Sequence, residues 1–124
     1  MSIWVCGEVL IDLIPDDSGE RVPHVGGGPA NTAKALARLG HDVYFIDGIS
    51  SDKYGQMSRQ ELLDDEVKLD LALSSDKPTC LAIVSINEMR IAFGKLKPGW
   101  HISCKASGPA PTGFILAIIV ANRR

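Results

Sequence analysis

The sequence lacks the features that would tie it to a metal, a nucleic acid or a bilayer. Its three cysteines, Cys6, Cys80 and Cys104, lie far apart and form no C-x-x-C pair. They read as reduced thiols, with Cys6 and Cys80 in apolar strand-like text where buried cysteine is common. His24, His41 and His101 have no metal-ligand spacing, so no residue is assigned to a metal. No basic run exceeds Arg123-Arg124, and the net charge of −2 gives no reason to expect nucleic acid or an anionic membrane surface. The late apolar run at 114–121, FILAIIVA, is only eight residues long. That is too short to span a bilayer, and it reads as a buried strand. A secretory leader is not expected either. Residues 1–3 lack a basic segment, and Glu8 and Asp12 interrupt the apolar text, so the expected location is cytoplasmic.

What is present is concentrated in residues 26–40, GGGPANTAKALARLG. Three glycines permit positive φ and close approach to main-chain atoms. Pro29 suits the first turn of a helix, and Gly40 suits the residue just past its end. Residues 30–39 are predicted to be helical, with Ala30, Ala33, Leu36, Ala37 and Leu39 on one arc and Lys34 and Arg38 opposite. The free N–H groups of that first turn would point at whatever occupies the glycine turn. A Walker A loop is excluded, because Pro-Ala-Asn stands where Gly-Lys-Ser/Thr is needed. A Rossmann fingerprint is excluded because Asn31 replaces its third glycine. A tight strand-to-helix connection without a ligand stays open on this segment alone.

Four ordered motifs surround it. Residues 2–15 read SIWVCGEVLIDLIP, the glycine segment follows, residues 42–56 read DVYFIDGISSDKYGQ, and residues 78–84 read PTCLAIV. Together they resemble the N-terminal part of ribokinase-like sugar kinases of the phosphofructokinase B type, fructokinases above all. That family shows a strand ending G-E-x-x-x-D, a G-G-x-P-A-N-x-A helix start, a G-x-D-x-x-G turn and a P-T-x-x-A-x-V strand. The resemblance covers roughly residues 2–88, with Ser50 standing where the family usually has glycine.

The resemblance implies a ribokinase-like α/β fold, here a partial parallel βαβ sheet with a small β lid and without a C-terminal half. It implies transfer of a phosphoryl group from ATP, with Mg2+, to a sugar hydroxyl, with fructose favoured. It also places sugar contacts at Asp12, Gly27, Gly28 and Asn31. Asp12 at a strand end can accept charge-assisted hydrogen bonds from hydroxyls, and Asn31 offers both a donor and an acceptor. Asn31 could equally cap the helix. Gly7 gives room or marks a bulge, and Glu8 stays ambiguous. Neither the family's G-A-G-D catalytic-base motif nor its N-x-x-E motif occurs in the sequence. No catalytic or ATP-binding residue is therefore assigned, and the chain is expected to be an inactive N-terminal piece of such an enzyme. The alternative is a non-enzymatic module that binds sugar or forms dimers.

The expected organisation is a sugar-binding part at 1–94 and a divergent tail at 95–124. Residues 3–14 read as one strand, 20–25 as a polar strand that Pro23 favours at an edge, and 42–47 as a strand parallel to the first. Asp52 is a plausible N-cap for a helix to about residue 66, followed by an extended piece at 68–73 and a strand at 79–86. The strands near 20–25 and 79–86 correspond to the family's lid. Exposed Ile83 or Ile86 on it would mark a homodimer contact. From residue 95 the text stops resembling the family, as a frame change or alternative splice would produce. This tail is expected to be the least ordered part of the chain.

Overall fold

Strand and helix alternate from the first residues onward in the computed structural model, which describes residues 2–87, 90–94 and 113–116. The chain enters as β1 (Ser2–Cys6), β2 (Leu10–Pro15) and β3 (Arg21–Gly26), followed by α1 (Gly28–Arg38) and β4 (Asp42–Ile46). It continues as β5 (Gly48–Ser50), α2 (Lys53–Asp64) and β6 (Leu73–Ser75), then β7 (Leu81–Asn87), β8 (Arg90–Gly94) and β9 (Gly113–Leu116). Among the described residues three sheets form, ordered β4-β1-β9, β3-β2-β7-β8 and β5-β6. The first is parallel throughout, with Ile3 opposite Val43 on one side and Gly113 on the other. The expected parallel pairing of the first strand with 42–47 is therefore found. Residues 117–121, the rest of the late apolar run, lie outside the described residues, as does most of the stretch from 95 on.

The single strand expected over 3–14 is in fact two strands in different sheets. β1 stops at Cys6, Gly7 takes φ +150, and its N–H donates to the Ile46 carbonyl at 3.2 Å. The chain then crosses to the second sheet and resumes as β2, pairing with β3 antiparallel and with β7 parallel. Apolar residues flank the break on both sides, and Gly7 with Glu8 is the mark the sequence carries there. A single glycine and one polar residue are too little in hydropathy to separate a crossing from a continuous strand. β3 with Pro23 lies at the edge of its sheet, as expected, and Ile83 is exposed. The side chain of Ile86 lies outside the described residues. The extended piece expected at 68–73 makes a single bridge at Lys68 to Tyr44, and its strand begins only at Leu73.

Helix α1 lies on β1 and β4 through its small residues. Ala30, Ala33 and Ala37 are buried with Val5, Val43 and Phe45 in the main core. Its polar side is only partly solvated, with Arg38 exposed and Lys34 covered. Lys34 is buried and pairs with Glu61 at 2.6 Å, and Arg38 grips Asp65 through two bonds of 2.7 and 2.8 Å. Both partners belong to α2 or its end, so the i,i+4 basic pair forms the seam between the helices. Leu39, placed on the apolar arc by the helical wheel, is instead exposed, because the helix ends at Arg38.

Asp52 caps α2 as expected and does more. Its Oδ1 accepts the Gly55 N–H at 2.8 Å and the Thr79 hydroxyl at 2.6 Å, while Oδ2 accepts the Thr79 N–H at 2.8 Å. Desolvation works against this charge, yet the bonds from Thr79 and Gly55 hold the carboxyl down at about 2. The DKYG and PT motifs are thus joined through one side chain. Cys80 is a buried free thiol. Cys6, also buried, is disulfide-bonded, so the expectation of a reduced thiol fails there; isolated cysteines carry no pairing signal in the sequence.

Candidate functional site

β2 and the β3–α1 junction converge on one corner of the fold. Antiparallel pairing sets Leu10 opposite Gly26 and Asp12 opposite His24. The Asp12 carboxylate lies so close over Gly26 that a Cβ there would overlap Oδ2. Gly26 therefore serves close approach, a role that sequence reasoning gave only to the triplet as a whole. Asp12 is half-buried, and its carboxylate makes no hydrogen bond among the described residues. Burial pushes its pKa up, with the nearby His24 pulling it partly back. A shielded carboxylate with unused acceptor sites is suited to hydroxyl donors.

Gly27 is the N-cap residue of α1, with φ +104 and ψ +128. A Cβ on it would stand 2.7 Å from the Glu8 carbonyl oxygen and 3.3 Å from the Val9 Cα. The glycine turn is thus pressed on the segment that links the two larger sheets. Gly28 opens the helix and Pro29 follows, so Pro29 withholds an N–H that no helical carbonyl could have received. Asn31 sits one turn along, its backbone N–H bonded to the Gly27 carbonyl at 2.9 Å. Its side chain is exposed and makes no hydrogen bond among the described residues. Among the described residues no side chain caps α1, so the capping role open to Asn31 is not the one it plays. Glu8 is half-buried, and burial raises its carboxyl.

This geometry separates two roles for Asn31. If its amide meets a sugar, Asn31→Asp should leave the melting temperature nearly unchanged, since an acid near a helix N-terminus is tolerated. Fructose affinity should fall in the same variant, because the amide donor is lost. Titration calorimetry beside a thermal melt checks both, and unaltered binding removes Asn31 from the site.

The sequence profile of the pfkB family carbohydrate kinases matches residues 2–95. The chain belongs to this family. A fructokinase of Klebsiella pneumoniae is 35% identical over 86 residues, which are 68% of this chain and 28% of that protein. This chain therefore spans under a third of the length of that relative. Among solved structures, a fructokinase of Xylella fastidiosa with bound ATP matches with a TM-score of 0.72 and 30% identity, over 78% of this chain and 30% of that one. A fructokinase of Vibrio cholerae O395 in its fructose, ADP and calcium ion bound form matches with a TM-score of 0.65 and 31% identity, over 78% and 32% of the two chains. The fold is accordingly ribokinase-like, in a partial α/β form. Among the described residues no helix is long and apolar enough to cross a membrane.

Proposed function

We propose that these residues form the acceptor-sugar side of an ATP-dependent kinase of fructokinase type, which moves a phosphoryl group from ATP to a sugar hydroxyl. The observation that carries this reading is the Asp12 carboxylate, half-buried over Gly26 without a hydrogen-bond partner among the described residues. Asp12 accepts hydrogen bonds from sugar hydroxyls, the main chain at Gly27 and Gly28 lines the sugar, and Asn31 adds a donor and an acceptor. Fructose is the favoured sugar, in keeping with the fructose-bound neighbour from Vibrio cholerae.

Phosphoryl transfer also requires ATP with its divalent ion and a base at the acceptor hydroxyl. Among the described residues no group of three or more His, Cys, Asp or Glu could hold a metal ion. Mg2+ is therefore given no ligand here, and no step is routed through it. The β3-β2-β7-β8 sheet covers the sugar as a lid and keeps out water, which would compete as acceptor. Exposed Ile83 on that sheet favours a second role, the pairing of two copies.

Purified 124-residue protein, mixed with ATP, Mg2+ and fructose, should release no fructose-dependent ADP while still binding fructose. ADP release at the rate of an intact fructokinase would contradict the assignment of this chain to the acceptor side alone. Failure to bind fructose would contradict the acceptor site itself.

A further inference from the structure

Asp47 stands outside the proposed sugar site, and neither its motif nor the reaction gives it a role. It follows the last residue of β4 and makes bonds in three directions. Oδ2 accepts the Val9 N–H at 3.0 Å, Oδ1 accepts the Gly48 N–H at 2.7 Å, and its backbone carbonyl accepts the Leu73 N–H at 2.8 Å. Burial pushes its carboxyl up to about 6, against the pull of the Val9 and Gly48 bonds, and the Glu8 charge adds to the rise. A carboxylate kept where ionisation is costly calls for a reason.

The two N–H donors supply one. Asparagine would offer a single oxygen to them and turn its NH2 toward the other donor, whereas a carboxylate accepts both. The Val9 N–H belongs to the segment that crosses from the β4-β1-β9 sheet to the β3-β2-β7-β8 sheet. On one side this segment is tied to the end of β4 twice, through Gly7 to the Ile46 carbonyl and through Val9 to Asp47. On the other side the Glu8 carbonyl meets Gly27.

We propose that Asp47 is a positioning residue that holds the peptide joining Glu8 to Val9 against the glycine turn, and so fixes Gly27 and β2, with Asp12, in register. Its effect on sugar rests on the acceptor-site reading above, while the clamp itself can be read without any ligand. The ionised side chain grips both N–H groups, and protonation weakens one of the two bonds. Glu8 is the titratable neighbour acting on it, so a Glu8→Gln background separates the two titrations.

The test uses 15N-labelled 124-residue protein followed by NMR. In the wild type the Val9 and Gly48 amide resonances should shift together with a midpoint near 6, and in Glu8→Gln they should still shift together but at a lower pH, because the Glu8 charge no longer adds to the rise. In Asp47→Asn that shift should vanish, Val9 exchange should quicken, and the fructose Kd should rise about 3- to 10-fold, the scale of one hydrogen bond. Asp12→Asn should lose fructose affinity with the Val9 titration intact. A Val9 amide flat from about pH 5 to 7 in the wild type overturns the proposal. So does Asp47→Asn that binds fructose as tightly as the wild type. If Asp47→Asn does not fold, the wild-type titration decides. If the wild type binds no fructose, the acceptor-site reading fails, and the Val9 titration alone decides whether the clamp exists.

Discussion

Asp12→Asn is expected to weaken fructose binding by about 1–3 kcal/mol, the scale of a charge-assisted hydrogen bond lost at a shielded site. That corresponds to roughly a 5- to 150-fold rise in Kd. The same change should not destabilise the fold. The Asp12 carboxylate supports no hydrogen bond among the described residues, and burial already raises its pKa, so the folded protein resists its charge. Affinity falls while stability holds or improves slightly. Calorimetric titration and denaturant unfolding of the same preparation measure the two quantities. Equal affinity in the variant would exclude Asp12 from the site. A joint loss of affinity and stability would instead mean that Asp12 holds up the structure.

Gly27→Ala should produce the largest loss of stability among changes at the glycine turn, on the order of 2–4 kcal/mol. Two effects add. The residue has φ +104, which a side chain rarely adopts, and a Cβ would stand 2.7 Å from the Glu8 carbonyl. That carbonyl belongs to the backbone and cannot rotate away. Gly26→Ala is the informative contrast. Its Cβ would overlap the end of the Asp12 side chain, which can move, and its φ is not positive. Gly26→Ala should therefore cost less stability and act chiefly on fructose affinity, by displacing the carboxylate. Urea unfolding of both variants checks the order. A Gly27→Ala loss within about 0.5 kcal/mol of zero would contradict the packing described for the turn.

The sequence made some of this legible because local chemistry decided it. The start of α1 follows from Gly-Pro, and its end, expected at residue 39 and found at Arg38, from Gly40 just beyond. The cap of α2 follows from Asp52, and the edge position of β3 from Pro23. Alternating strand and helix with parallel pairing follows from apolar text around a crossover helix. What stayed hidden depended on contacts distant in sequence. The break at Gly7 is set by the Ile46 carbonyl, and the burial of Lys34 is set by Glu61, 27 residues away. Asp52 as a bridge needs Thr79, and the grip of Asp47 on Val9 spans 38 residues. At the candidate site, sequence pattern singled out Asp12, the glycines and Asn31. Only the structure distinguishes Gly26, which faces the carboxylate, from Gly27, which faces the Glu8 peptide.

The acceptor-site assignment stands or falls on where fructose touches the chain. Adding fructose to the 15N-labelled protein should shift the amide resonances of Asp12, Gly26, Gly27, Gly28 and Asn31 in a saturable way. β5, β6 and the far end of α2 should stay unmoved. Asp12→Asn should shrink those shifts at the same sugar concentration, through the same roughly 5- to 150-fold rise in Kd. Saturable shifts centred on another part of the fold, or none at millimolar fructose, would contradict the assignment of this corner as the acceptor-sugar site.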